Sequence, residues 1–149
     1  MSEEFTIRRV TAADKNAWLA MRQALWPECP HDEQVAEMAG IISAENEAAL
    51  VAVSSAGEPL GFLEASIRLW VDWCDTRPVG YVEGWYVRPE FRRRGVGRAL
   101  VAAAEQWVTD RGCVEMASDA YVSNLVSQQA HEALGFEQHE SVVRFRKRL

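Results

Sequence analysis

One stretch decides the reading of this 149-residue chain: Val87-Arg88-Pro89-Glu90-Phe91-Arg92-Arg93-Arg94-Gly95-Val96-Gly97-Arg98-Ala99-Leu100. An apolar strand pattern ends at Val87, and Pro89 cannot continue it because proline has no N–H for a ladder. After two closely spaced glycines, Val96, Leu100, Val101, Ala104, Trp107 and Val108 fall at helical spacing. The segment is therefore strand, turn and helix. A helix N-terminus carries four unpaired N–H donors and the positive end of the dipole. Glycines let a backbone approach a ligand with no Cβ in the way. Four arginines (Arg92, Arg93, Arg94 and Arg98) crowd the same end. Arginines there oppose the dipole and cost stability unless an anion joins them. That favours a diphosphate-binding turn over a merely solvated basic run. The pattern is not a Walker loop, since no Gly-Lys-Ser/Thr follows. It is not a dinucleotide fingerprint either, since Arg-Ala-Leu follows Gly97.

Upstream, residues 5–10 alternate as a strand, and Thr11-Ala-Ala-Asp14 opens a helix like a capping box. Ala17, Trp18, Met21, Ala24 and Leu25 mark that helix, which Trp26-Pro27 ends. A second helix is expected over 33–43, with Val35, Met38, Ile41 and Ile42 on one side. Strands are expected over 49–53, 60–69 and 79–87, with a turn at 54–57 and a tryptophan-bearing loop at 70–78. Gly84, inside the third of these, marks a bulge or a close backbone approach. Downstream, Gly112 stops the long helix, 115–118 is a short strand, and 124–134 is a helix closed by Gly135. Residues 141–148 read as a last strand with the basic tail Arg144, Arg146, Lys147 and Arg148. The order β-α-α-β-β-β-α-β-α-β predicts a mixed α/β sheet rather than a doubly wound one. With no repeat or linker, residues 1–149 are expected to form a single domain.

Composition narrows the function. A net charge of −6 speaks against a nucleic-acid or anionic-membrane binder. That charge is uneven: 14 acids face 6 bases before Arg88, and 8 acids face 10 bases from Arg88 onward. The acidic start, Met-Ser-Glu-Glu, is unlike a secretory leader, and no apolar run is long enough to span a bilayer. Cys29, Cys74 and Cys113 are odd in number and widely spaced, as expected of reduced cytoplasmic thiols. His31, His131 and His139 have no metal spacing, so no metal is expected. Trp18, Trp107 and Cys113 read as core, and His131 as a packed histidine.

Arg92-x-x-Gly95-x-Gly97 after a strand and Pro89 resembles the acetyl-CoA motif of the GNAT superfamily of N-acetyltransferases, and the whole order of elements fits that fold. Asn124 and Ala133-Leu134-Gly135-Phe136 resemble its second cofactor segment. Further segments are similar to one branch, the aminoglycoside 6′-N-acetyltransferases. These are Leu25-Trp26-Pro27, Ala65-Ser66-Ile67-Arg68, Val82-Glu83-Gly84, Glu115-Met116-Ala117-Ser118-Asp119, Ser127-Gln128, His131-Glu132-Ala133-Leu134-Gly135-Phe136-Glu137 and Arg146-Lys147-Arg148. The resemblance implies a central, mostly antiparallel sheet flanked by helices. It implies a cytoplasmic homodimer that acetylates aminoglycoside antibiotics from acetyl-CoA and so confers resistance. It assigns the CoA pyrophosphate to the backbone of Arg92, Arg93, Arg94, Gly95, Val96, Gly97, Arg98 and Ala99. The pantetheine arm goes to Trp85, Tyr86, Val87 and Asn124, and the acceptor to Trp26, Trp70, Glu83, Asp119 and Glu140. Two positions depart from the pattern. His131 stands where many GNAT enzymes carry a tyrosine acid, and Phe145 stands where the 6′ branch tends to have a tyrosine.

The chemistry is direct attack of an amine on a thioester. An amine of pKa near 10 is only about 0.1% neutral at pH 7, a deficit of roughly 4 kcal/mol. Glu83 can take the proton through a water, which is its expected catalytic role. A strand N–H beside Gly84, at Tyr86 or Val87, can meet the oxyanion. A thiol of pKa near 8.5 leaves tolerably as thiolate, so a strong acid is not essential. Two alternatives stay open: acetylation of another polyamine or small amine, and a non-catalytic acyl-CoA-binding module.

Overall fold

The computed structural model describes residues 4–149. The opening acidic residues 1–3, used above against a secretory leader, lie outside them. The chain divides into two compact units, Met1–Ser118 and Asp119–Leu149.

The first unit is built on a five-stranded sheet in the order β1-β2-β3-β4-β5. Its strands are β1 (Phe5–Arg9), β2 (Glu47–Ser54), β3 (Pro59–Arg68), β4 (Val79–Val87) and β5 (Met116–Ser118). The first four pair antiparallel, and β5 joins β4 in parallel. Three helices belong to this unit: α1 (Lys15–Leu25), α2 (His31–Ser43) and α3 (Val96–Thr109). The expected mixed, mostly antiparallel sheet flanked by helices is therefore observed.

Each face of the sheet is covered by apolar residues at helical spacing. Trp18, Met21, Met38 and Ile41 from α1 and α2 pack with Ala49, Val51 and Phe62. On α3, Val96, Leu100, Val101, Ala104, Trp107 and Val108 are buried. Gly80 permits the approach of α3, since a Cβ there would lie 2.5 Å from Val108 Cγ1.

Charge is also buried, at positions whose spacing alone suggests surface. Arg22 is 1% exposed and Glu64 is 4% exposed. The guanidinium of Arg22 donates to both Glu64 oxygens and to Glu37, and its Nε donates to Gln34 Oε1 at 2.9 Å. Trp18 Nε1 donates to Glu64 Oε2 at 2.9 Å. Burial pushes the Glu64 carboxyl upward against the opposite pull of Arg22. Every member is hydrogen-bonded, which is the condition for tolerating a buried ion pair.

The ladder between β4 and β5 is short. It covers Gly80, Tyr81 and Val82 against Met116, Ala117 and Ser118. Beyond Val82, that edge of β4 has no neighbouring strand among the described residues. The ladder with β5 therefore stops short of residues 83–87, directly before the arginine-glycine turn.

In the second unit, α4 (Leu125–Ala133) is capped by Asn124, whose Oδ1 accepts from Ser127 N–H at 3.1 Å. His131 Nδ1 bonds the Ser127 carbonyl at 2.6 Å, and its ring meets Phe136 edge-on at 5.2 Å. This histidine is packed, as expected. The strand expected over 141–148 is not formed. Val142, Val143 and Phe145 keep their alternation-prone sequence but are all exposed. Apolar alternation gives a segment the capacity for a ladder, yet no strand of this unit pairs with it.

Candidate active site

The site grows from one irregularity in the sheet. Along β3 and β4, Glu64 pairs with Gly84 but Ala65 pairs with Val82. Glu83 is thus the extra residue of a β-bulge. Phe62, Glu64 and Ser66 share one face of β3, and the register puts Tyr86, Gly84 and Tyr81 on that face of β4. Glu83 joins them, because its Oε1 accepts from Ser66 Oγ at 2.6 Å. Simple alternation groups Glu83 with both Tyr81 and Trp85. The bulge corrects this: Glu83 stays with Tyr81, while Trp85 turns to the opposite face. There Trp85 packs beneath Gly97 of α3.

Arg68 closes on Glu83 from the next strand. Its Nε and Nη2 donate to Glu83 Oε1 at 3.0 and 2.9 Å, and Nη2 also reaches Oε2 at 2.9 Å. The guanidinium lies 3.4 Å over the Tyr81 ring centroid. Sequence reading left Arg68 as a residue of resemblance only; no spacing rule marks it as Glu83's partner.

Gly84 fulfils the expected close approach, and the partner is Trp26. A Cβ on Gly84 would lie 2.7 Å from Trp26 Cζ2 and closer still to Cη2. Trp26 therefore rests on the strand backbone beside the bulged Glu83. It is held from behind: Arg22 lies 4.7 Å over its ring, Gln34 Nε2 donates to its carbonyl at 3.1 Å, and Phe62 meets it edge-on at 6.2 Å. The buried charge network thus ends on a residue expected to touch the acceptor.

Trp70 lies exposed in the loop between β3 and β4. Two anchors fix that loop. Val71 is buried with Val79 and Tyr81. Glu115 Oε1 accepts from Asp75 N–H at 2.9 Å, Thr76 N–H at 2.6 Å and Thr76 Oγ1 at 2.5 Å. The Thr76 hydroxyl bond pulls the Glu115 carboxyl below its ordinary range.

The arginine-glycine turn sits between the open β4 edge and α3. Gly95 is the cap residue of α3 at φ 84, a left-handed position that disfavours a side chain. Arg93 holds φ 62 with a side chain in place, the one non-glycine residue with positive φ among those described. Such strain costs on the order of 1–3 kcal/mol and gathers at ligand sites. The first helical bond of α3 runs from Ala99 N–H to Gly95 O, so the N–H groups of Val96, Gly97 and Arg98 face out of the helix end. Arg92, Arg93, Arg94 and Arg98 are all exposed. This donor set fits a pyrophosphate. Gly97 has a further reason beside the one expected: a Cβ there would meet Trp85 Cζ2 at 3.1 Å, so it also serves helix-on-strand packing. Arg92 is partly committed, donating from Nε to Val87 O at 2.8 Å beside the Tyr86 ring.

Asp119 and Glu140 are exposed residues of the second unit, and Asn124 acts there as the α4 cap described above. Cys113 is buried, and burial pushes its thiol up, as suits an inert core cysteine. Among the described residues no three His, Cys, Asp or Glu side chains gather as a metal site, and no helix is long and apolar enough to cross a membrane.

A β4 edge that outruns β5, a helix end ringed by arginines and a bulged carboxylate between them are the features of an acyl-CoA-type transferase site. In agreement, the acetyltransferase (GNAT) family model matches residues 16–136, and the chain belongs to that family. It is 46% identical over 146 residues to an aminoglycoside N(6′)-acetyltransferase type 1 of Klebsiella aerogenes, covering 96% of each chain. It is 43% identical over 143 residues to one of Salmonella typhimurium, covering 95% of this chain and 98% of the relative. Among solved structures, AAC(6′)-Iy in complex with the bisubstrate analogue CoA-S-monomethyl-acetylneamine matches at a TM-score of 0.93 and 41% identity. That match covers 98% of this chain and 99% of the other.

Proposed function

We propose that this protein is an acetyl-CoA-dependent aminoglycoside 6′-N-acetyltransferase. The observation that carries the reading is the bulged Glu83 beside Trp26, at the open edge of β4 and next to the α3 terminus. The relatives named above supply the substrate class. The family match runs across Ser118, which supports one functional domain over 1–149.

Bound acetyl-CoA supplies a thioester carbonyl that an amine attacks directly, with the thiolate as leaving group. The chain's own groups do the rest. The N–H groups and arginines from Arg92 to Ala99 hold the diphosphate. The backbone of β4 at Trp85, Tyr86 and Val87, past the end of the β5 ladder, is proposed to pair with an extended arm, and a strand N–H there meets the oxyanion. Trp26 and Trp70 give apolar walls to sugar rings. Glu83 receives the amine proton through a water. The uneven charge of the sequence suits an anionic co-substrate and a cationic acceptor. We further propose a cytoplasmic homodimer that confers aminoglycoside resistance. The exposed apolar residues Val142, Val143 and Phe145 support a partner for the tail.

The deciding experiment is thiol release from acetyl-CoA with aminoglycosides that carry or lack a 6′-amine, and with linear polyamines. Turnover confined to 6′-amino compounds is expected. Turnover of polyamines alone would move the acceptor class, and CoA binding without any turnover would make the chain a non-catalytic module.

A further inference from the structure

Glu83 does not wait empty for its acceptor. Its two oxygens are unequally used. Oε1 accepts three bonds, from Ser66 Oγ at 2.6 Å and from Arg68 Nε and Nη2 at 3.0 and 2.9 Å. Oε2 accepts one, from the same Nη2 at 2.9 Å. A carboxylate oxygen offers about two lone-pair directions, so Oε1 is saturated and Oε2 keeps one open. Arg68 is itself held, because its guanidinium lies 3.4 Å over the ring centroid of Tyr81, a residue only 2% exposed. Yet the pair is reachable: the side chains of Arg68 and Glu83 are 42% and 35% exposed.

We propose that Arg68, with Ser66, is a positioning residue for the acceptor amine. It turns Glu83 so that one oxygen is closed and the other is presented. It also cancels the carboxylate's charge at the point where the nucleophile must lose a proton. An unpaired carboxylate stabilises a neighbouring ammonium and so lowers the supply of neutral amine. With Arg68 in place, Glu83 accepts a hydrogen bond from the water that relays the amine proton without trapping the amine as a cation. Arg68 therefore trades acceptor affinity for nucleophile availability. The inference rests on the reading that Glu83 meets the acceptor amine.

The test is steady-state kinetics of Arg68→Ala and Arg68→Lys with a 6′-amino aminoglycoside, in the unaltered chain and in a Glu83→Gln background. Arg68→Ala is expected to lower the acceptor KM several-fold and to lower kcat about tenfold, the effect of one unit of amine pKa. The acetyl-CoA KM should not move. Both parameters falling together is a signature that general loosening of the site does not produce. Lysine should return KM to the unaltered value and recover kcat in part, since it restores charge without the planar fork. In the Glu83→Gln background, Arg68→Ala should no longer lower kcat. An acceptor KM that rises or stays fixed in Arg68→Ala, or a lysine variant no better than alanine, overturns the proposal alone. Absence of turnover by the unaltered chain overturns the functional reading and this inference with it.

Discussion

The contact between Trp26 and Gly84 gives the sharpest single perturbation, Gly84→Ala. Gly84 is not among the glycines with positive φ, so alanine fits its backbone and only the added methyl matters. That methyl would sit 2.7 Å from Trp26 Cζ2. Carbon atoms settle about 3.5–4.0 Å apart, so the indole must retreat by about 1 Å. It has little freedom to do so. Its backbone N–H donates to Arg22 O at 2.7 Å, Gln34 binds its carbonyl, and Arg22 and Phe62 flank its ring. Overpacking of a fixed site costs about 1–3 kcal/mol. Read through acceptor positioning, that is a fall of about 5- to 150-fold in kcat/KM for the aminoglycoside. The assay is thiol release with acetyl-CoA saturating and acceptor varied, then the reverse. The acetyl-CoA KM should stay unchanged, since Gly84 and the α3 turn face different ligands. An unchanged acceptor kcat/KM would refute the claim that Trp26 forms a wall of the acceptor site. An acetyl-CoA KM rising in step would refute the division of labour between the two ends of β4.

Three further outcomes follow from the same geometry. Gly97→Ala sets a methyl 3.1 Å from the Trp85 ring, a clash of a few tenths of an ångström, and should raise the acetyl-CoA KM several-fold while sparing the acceptor KM in the same assay. Glu64→Ala leaves the buried Arg22 guanidinium only the half-exposed Glu37 as a charge partner and removes the acceptor of Trp18 Nε1, at a cost of about 3 kcal/mol, the low end for a broken buried pair; thermal unfolding should fall by about 6–12 °C. The Arg8 side-chain bond, first among its causes, holds Asp14 down to about 2 from its ordinary 3.8. A depressed carboxylate stabilises the fold above its unfolded pKa and loses that contribution as pH falls from about 4 towards 2. Because Arg8 is 43% exposed, the contribution is about 1 kcal/mol at most; urea unfolding across that window should show a shallower acid loss for Asp14→Asn than for the unaltered chain.

Legibility in the sequence followed the range of the interaction. The arginine-glycine turn was readable because strand, turn and helix signals are adjacent in the chain. Gly84 announced a close approach, since a glycine inside an apolar strand has few other reasons. Its partner Trp26 is 58 residues away, and no local rule names it. The bulge was half visible: the glycine was the sign, but the extra residue is Glu83, and the register that reveals it lies in β3. Arg22 and Glu64 read as ordinary polar positions because periodicity counts apolar residues and does not pair buried charges. Gly97 had the right identity and another reason, because only the folded packing brings Trp85 beneath α3. The tail failed differently. Alternation at 141–148 describes a side-chain pattern, whereas a strand needs a neighbour's N–H and C=O groups.

The short ladder between β4 and β5 also has a bearing on self-association. Beyond Val82, β4 has no neighbouring strand on that side among the described residues, which is in general an invitation to strands of other molecules. Here the invitation is restricted. A second chain laid along that edge in regular register would meet the bulged Glu83, where the strand bends and two residues stand against one. Further on, Arg92 holds the Val87 carbonyl, and Pro89 ends the run. The gap is open for about five residues and closed to anything that repeats like a strand. The irregularity that brings Glu83 into the site is, for any other polypeptide, a reason not to pair.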